Sequence, residues 1–257
     1  MDNSSIGNRM KNYEAVSDIR LVNRMPIILR IDGRAFHTFT RGLKKPFDEV
    51  FVKTMQETMQ KLCESIDSCV LGYTQSDEIS LLLVNYDILE RTPWFDNRIQ
   101  KICSIASSIA VYWFVRQFRE NAAPYLDGED GKYSDILKKK IDTPVQFDCR
   151  AFNIPKEDVT NNFYWRQLDA SRNSILSVGY ANFSTKELHG KNCNEVQDML
   201  HEQRGINWND LPTHLRRGSC CKKVTKSING VERHIWEIDK EIPTFKGDGR
   251  EYIEKLI

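Results

Sequence analysis

Met25-Pro26-Ile27-Ile28-Leu29-Arg30-Ile31 runs into Asp32-Gly33, and Gln75-Ser76-Asp77-Glu78 runs into Ile79-Ser80-Leu81-Leu82-Leu83-Val84. The first apolar run, Met25 to Ile31, is rich in β-branched residues and closes on a turn pair, so it reads as a buried strand. Cys69–Thr74 and Ile79–Val84 read as two more strands, joined through the polar break at 75–78 as a hairpin. Between them and the first strand, Phe47 to Ile66 carries Val50, Phe51, Met55, Thr58, Met59 and Leu62 near helical spacing. Asp48 and Glu49 stand in its first turn, where the helix dipole favours an acid. Phe95 to Arg119 predicts a second long helix, with Ala106, Ile109, Ala110, Trp113 and Phe114 able to share a face. Val145 to Ile154 alternates over Val145, Phe147 and Cys149 and predicts a fourth strand. Strand, helix, strand, strand, helix, strand is the ferredoxin-like order, an α/β fold of the α+β kind.

That order decides where the acids go. The first and third strands of such a sheet are central, adjacent and antiparallel. Asp32 leaves the first and Asp77-Glu78 begin the third, so the two groups meet at one edge of the sheet, with Gly33 permitting close backbone approach. This is the layout of a polymerase palm, in which hard oxygen ligands hold Mg2+. Two such ions about 3.5–4 Å apart activate an attacking oxygen and stabilise a leaving one. Taken singly, Asp-Gly after a strand and Ser-Asp-Glu at a hairpin tip are ordinary turn chemistry. Together in this topology they favour metal binding. The topology leaves three classes open: a nucleotidyltransferase, a nucleotide cyclase, and an RNA-binding module.

The rest of the chain fits a palm-like core over 1–155 with an extension over 156–257 packed on it. Ala122 to Thr143 is the most linker-like stretch, with Pro124, Gly128, Gly131 and a lysine run. Lys156 to about Ser184 and Asn192 to Gly205 read as helical. Cys220–Ile228 and Glu232–Ile238 read as a hairpin across Asn229-Gly230. In all, 257 residues suffice for one substantial core with an appendage. With 40% apolar and 28% charged residues the composition is that of an ordinary globular protein. A net charge of +1 means that a nucleic-acid partner must be held by local patches. Met1-Asp2-Asn3-Ser4-Ser5 lacks the basic-then-apolar pattern of a signal peptide, and Ile102–Val115, the longest mostly apolar stretch, is too short to span a bilayer. Seven cysteines without a Cys-x-x-Cys pair read as free thiols in a reducing cytosol.

Six strings narrow the classes. Arg30-Ile31-Asp32-Gly33-Arg34-Ala35-Phe36-His37, Lys45-Pro46-Phe47-Asp48, Gly72-Tyr73-Thr74-Gln75-Ser76-Asp77-Glu78-Ile79-Ser80, Phe147-Asp148-Cys149-Arg150, Trp165-Arg166-Gln167 with Asp169, and Leu211-Pro212 with Arg217-Gly218 occur in that order. Together they resemble the signatures of the tRNA-His guanylyltransferase family. The resemblance covers about Met10 to Lys223. It departs at Ser171-Arg172-Asn173-Ser174-Ile175-Leu176-Ser177. Members that guanylate tRNA-His carry His-Ile-Asn-Asn-Leu-Tyr-Asn there, and only Asn173 matches. The chain looks like the guanylyltransferase-like branch, which adds nucleotides 3′-to-5′ to truncated tRNAs under template direction.

The resemblance implies a tRNA substrate, ATP and GTP as nucleotide substrates, two Mg2+ per active site, and a homotetramer without a membrane. It implies activation of a 5′-monophosphate by a nucleoside triphosphate, then attack by the 3′-hydroxyl of an incoming nucleotide. Asp32 and Asp77 become side-chain metal ligands and the Gly33 carbonyl a backbone ligand; Glu78 either ligates or orients. Nucleotide contacts extend to Arg30, Arg34, Ala35, Phe36, His37, Lys45 and Ser76. Arg98 and Lys101, three apart on one helix face, are further candidates for gripping phosphates, with a solvated face as the plain alternative. Arg150, Lys138-Lys139-Lys140 and Arg216-Arg217 are candidate RNA contacts. A cyclase would need neither the Trp-Arg-Gln helix nor the long extension. An RNA-binding module would carry exposed sheet aromatics that do not appear.

Overall fold

The computed structural model describes residues 4–128, 130–228 and 230–257. Its six strands are β1 (Ile27–Gly33), β2 (Cys69–Gln75), β3 (Glu78–Leu83), β4 (Phe147–Asn153), β5 (Ser219–Ile228) and β6 (Val231–Asp239). Its helices are α1 (Ser5–Ala15), α2 (Phe36–Phe39), α3 (Glu49–Ser65), α4 (Ile99–Ala122), α5 (Gly131–Ile141), α6 (Val159–Asn182), α7 (Thr185–Leu188), α8 (Cys193–Arg204), α9 (Thr213–Arg217) and α10 (Glu251–Glu254). None among the described residues is long and apolar enough to cross a membrane.

All six strands form one antiparallel sheet in the order β4-β1-β3-β2-β5-β6. The first four strands have the ferredoxin-like order expected from the sequence. Alternation sorts the faces. Ile27, Leu29 and Ile31 of β1 join Ile79, Leu81 and Leu83 of β3 under α3 and α4, with Met55, Met59, Leu62, Ala106, Ala110 and Phe114. Ile28, Leu82 and Tyr73 face the other way, onto Phe163 of α6 and Phe245 of the C-terminal segment. α3 starts where the sequence places it: Asp48 is the N-cap and its Oδ1 accepts from the Phe51 N–H at 3.0 Å.

Three expectations are corrected. β1 does not end at Ile31. It continues through Asp32 and Gly33, because β4 flanks them with Asp148 and Phe147 and a strand hydrogen-bonded on both sides need not turn. The second long helix starts at Ile99, not Phe95; Phe95 and Asp96 have positive φ. The stretch read as a linker contains α5, N-capped by Asp130 and held by buried Tyr133 and Leu137. The Asn229-Gly230 turn lies partly outside the described residues. The hairpin it joins is present, and β5 extends the palm sheet by pairing Leu71↔Lys222 through Thr74↔Ser219.

Gly218 makes that extension possible. Its φ is +85°, and a Cβ there would lie 2.6 Å from the Thr74 carbonyl oxygen. Gly218→Ala should therefore cost about 1–3 kcal/mol and lower the thermal midpoint by about 3–10 °C, measured by circular dichroism. An unchanged midpoint would mean that β5 is not seated this tightly.

Candidate active site

The antiparallel register of β1 and β3 sets Asp32 opposite Glu78, and the register of β1 and β4 sets Asp32 opposite Asp148. Directly opposed residues point to one face of the sheet. Asp148, Asp32 and Glu78 thus form a row across three strands, with Arg150, Arg30 and Ser80 the next row along. Asp77 occupies the turn between β2 and β3. Its backbone carbonyl accepts from the Gly33 N–H at 3.0 Å, which ties the end of β1 to the turn. Gly33 has no room for a side chain, since a Cβ would meet the Phe36 ring at 2.4 Å. Asp32 and Asp77 therefore share one corner, as the sequence predicts.

The carboxylates at this corner divide into two kinds. Glu78 is 5% exposed. Its Oε1 lies 2.7 Å from Arg166 Nε of α6, and its Oε2 lies 3.2 Å from Arg30 Nε. It is a buried counter-ion to both guanidiniums. Asp32 and Asp77 have no such guanidinium contact among the described residues. Burial pushes the Asp32 carboxyl above its ordinary range, and the charge of Asp148 adds to this against the pull of Arg30, Arg150 and Arg166. Burial raises Asp77 too; the Ser76 hydroxyl, donating to its Oδ1 at 3.0 Å, holds it back, and the charge of Asp32 pushes it up again.

Among the described residues no three His, Cys, Asp or Glu side chains gather as a ready metal site. The donor set at the corner is instead two carboxylates, those of Asp32 and Asp77. That set fits Mg2+, which takes one or two protein carboxylates and completes its shell with water and substrate phosphates. Half-buried acids pushed up by burial, Asp32 also by Asp148 and Asp77 also by Asp32, are an arrangement that a divalent cation would relieve.

A cavity of about 750 Å³ opens beside the corner. Lys44, Lys45, Asp48 and Phe51 line one side, Gln75 and Ser76 the floor, and Asn173, Ser174, Ser177 and Tyr180 of α6 the far wall. Asp48 is already committed, accepting from the Lys44 N–H at 2.9 Å and from the Tyr133 hydroxyl at 2.8 Å. The Lys44 ammonium sits 4.2 Å from the centre of the Tyr133 ring. Lys45 is exposed, lines the cavity, and has no hydrogen bond or ion pair among the described residues.

Other expected contacts are placed elsewhere. Phe36 is core, packed on Phe39, Phe114 and Phe147, so its ring is not at the site. Arg34 is bonded to the Gln146 side chain at 2.8 Å. Ala35 caps α2 in a left-handed conformation, and His37 is near enough to affect Asp77. Arg98 and Lys101 lie at the opposite end of the sheet: Leu21 N–H donates to the Asn97 carbonyl, Arg98 pairs with Asp18 at 3.2 Å, and Asn97 meets Asn85 beyond the far end of β3. α4 begins where β3 ends, so its first turn cannot reach Asp32 in the same chain. Lys138 and Lys139 are exposed on α5, whereas Lys140 donates to the Thr38 carbonyl at 3.2 Å. Arg216 donates to the Leu211 carbonyl and Arg217 to Thr244, both at 2.7 Å, so these two brace the α9 region. Arg150 is exposed beside the corner. Sequence reading assigned no role to Asp148 or Arg166. The signal for Arg166 was an arginine on the buried face of α6 between Phe163 and Ala170, a position that demands a buried acid.

A family model described as tRNA(His) guanylyltransferase matches residues 7–155, the palm with its corner. The chain belongs to the tRNA-His guanylyltransferase family. It is therefore a nucleotidyltransferase of the kind that acts on the 5′ end of tRNA. A probable tRNA(His) guanylyltransferase of Dictyostelium discoideum is 29% identical over 260 residues, covering 96% of this chain and 90% of that protein. A bacterial tRNA(His) guanylyltransferase-like protein solved with ATP is 41% identical, with a TM-score of 0.84 over 98% of this chain and 99% of that one. A bacterial protein of the same description solved with GTP is 40% identical, with a TM-score of 0.81 and the same coverage.

Burial raises the Glu78 carboxyl as well, against the pull of Arg166 and Arg30, so the difference expected on neutralisation rests on the two guanidiniums that Glu78 contacts and Asp32 and Asp77 do not. An acid whose pKa is raised on folding binds its proton more tightly when folded. Its penalty is therefore full above the folded pKa and fades as pH falls toward the unfolded value. At neutral pH, Asp32→Asn and Asp77→Asn should raise the thermal midpoint of the metal-free protein while cutting turnover about a thousandfold or more. Glu78→Gln strands two guanidiniums and should lower stability by about 3–5 kcal/mol. Scanning calorimetry with chelator decides this, and a fall in all three variants would refute the division.

Proposed function

We propose that this chain adds nucleotides to the 5′ end of a tRNA, holding a nucleoside triphosphate in the cavity and Mg2+ at Asp32, Asp77 and the Gly33 carbonyl. The observation that carries the reading is that the turn holding Asp77 reaches the cavity through Gln75 and Ser76. Ser76, bonded to Asp77, is also part of the cavity wall. When bound, a pair of divalent cations would neutralise phosphate charge and stabilise the attacking and leaving oxygens. The chain's own residues do the positioning on which phosphoryl transfer depends. Lys45 offers its free ammonium to the triphosphate. Leu43, Phe47, Phe51 and Phe183 give the base apolar walls, and Asn173, Ser177 and Thr185 offer it hydrogen bonds. The ATP and GTP bound by the two bacterial proteins support both nucleotides as substrates here.

The name of the Dictyostelium relative supports a single guanosine added to tRNA-His, and this is the first reading. One observation favours a second, template-directed repair of truncated tRNAs. Ser174 and Ser177 stand where the tRNA-His motif is replaced, and both line the cavity. Two of the replaced side chains therefore border the space assigned here to the nucleotide.

A matched set of tRNAs with the base opposite the 5′ end varied, incubated with ATP, GTP and Mg2+, separates the readings. Guanosine added whatever the opposing base, with preference for tRNA-His, selects the first. Addition that follows the opposing base across several tRNAs selects the second, and no addition to any tRNA rejects both. Within either reading Lys45→Ala should raise the KM for nucleotide about ten- to hundredfold and leave tRNA affinity nearly unchanged. Lys44→Ala, whose ammonium rests on Tyr133, should do much less; equal effects would replace the specific contact with a general basic surface.

A further inference from the structure

Trp165-Arg166-Gln167-Leu168-Asp169 opens a question that the reaction does not answer. Three of these side chains are used by the fold. Arg166 bridges Glu78 and Asp169, at 2.7 and 2.6 Å. Gln167 donates to the Pro243 carbonyl and accepts from the Phe245 N–H, both at 2.9 Å, holding the C-terminal segment on α6. Asp169 takes Arg166 and, at 3.4 Å, Asn173. Trp165 is 53% exposed. Its ring centre lies 4.2 Å from the Arg166 guanidinium carbon and 5.9 Å from that of Arg30. Both arginines grip Glu78, which stands opposite Asp32. The indole is therefore part of a fixed stack whose other end is the carboxylate corner.

Its direction matters as much as its exposure. α6 lines the nucleotide cavity through Ala170, Asn173, Ser174, Ser177 and Tyr180. At 3.6 residues per turn Leu168 and Arg172 lie away from that lining, and Trp165 stands roughly 115° around the helix from its centre. Trp165 reaches instead toward Arg30 of β1, beyond which Arg150 of β4 stands in register. A transfer corner needs two reactants, one on each side of the reacting phosphate. The cavity with Lys45 takes one. The other side presents an open indole flanked by guanidiniums, the combination that binds unpaired nucleic-acid ends: bases stack on aromatic rings and arginine planes while cations hold the backbone.

We propose that Trp165 is the stacking shelf for the terminal nucleobase at the reacting 5′ end of the RNA, with Arg30 and Arg150 beside it for the backbone. The inference rests on the tRNA reading above, and binding tests it separately from turnover. The RNA is a tRNA with an unpaired 5′-terminal nucleotide, compared with the same tRNA abasic at that nucleotide. Both are titrated by fluorescence anisotropy, without nucleotide or metal, against the wild-type chain, Trp165→Ala and Trp165→Phe.

The expected result is a loss of about 5- to 150-fold in affinity for Trp165→Ala on the intact RNA. Trp165→Phe should retain most of the affinity. The abasic RNA should bind wild type and Trp165→Ala alike, because base and shelf are lost together. KM for the nucleoside triphosphate should not move. Equal losses on intact and abasic RNA would overturn the shelf, as would unchanged affinity for the intact RNA. A change in sedimentation of Trp165→Ala without coupling to the base would also overturn it, making this face a contact between copies of the chain. Coupling without nucleotide addition would keep the shelf and reject the reaction.

Discussion

The hydrogen bond from the Gly33 N–H to the Asp77 carbonyl holds the site together. It closes the end of β1 against the β2–β3 turn and fixes which residues oppose one another along two strands. A slip of one residue would turn Asp32 into the packed face with Ile31 and Ile79 and place an isoleucine at the corner. Glycine is required at the donor because Phe36 fills the space a side chain would take. A core aromatic and the corner carboxylates are thus coupled through a residue that contributes only backbone.

Charge is distributed around this point with two opposite purposes. Glu78 is neutralised within the protein by Arg30 and Arg166, and the ion pairs bind α6 to the sheet. Asp32 and Asp77 are left in excess and strained toward protonation by burial. Both carboxyls are therefore costlier to keep ionised here than in water, a cost that a cation at this corner would reduce.

Much of this was legible in the sequence, for identifiable reasons. The four palm strands are short apolar runs bounded by polar breaks, and their order with two helices admits few topologies. Asp32 and Asp77 stand out as acids where those runs end. What was lost depended on polarity and distance. Arg98 and Lys101 looked like phosphate grips because they share a helix face, but that face begins at the end of β3 remote from the corner. α5 was hidden by Pro124, Gly128 and Gly131, since its stability comes from Tyr133 and Leu137 packing on the core and not from local preference. The edge to which the hairpin adds was also beyond reach, because Leu71↔Lys222 joins residues far apart in the chain.

Among the described residues the sheet is open at both margins, for β4 pairs only with β1 and β6 only with β5. An unpaired strand margin is a template for extraneous chains. β4 carries Asp148 and Arg150 along its length, and β6 carries Glu232, Arg233 and Glu237. A foreign strand docking on either margin would have to desolvate those charges. Asp148 and Arg150 thereby also oppose fibrillar stacking, so replacing them with apolar residues would trade away solubility.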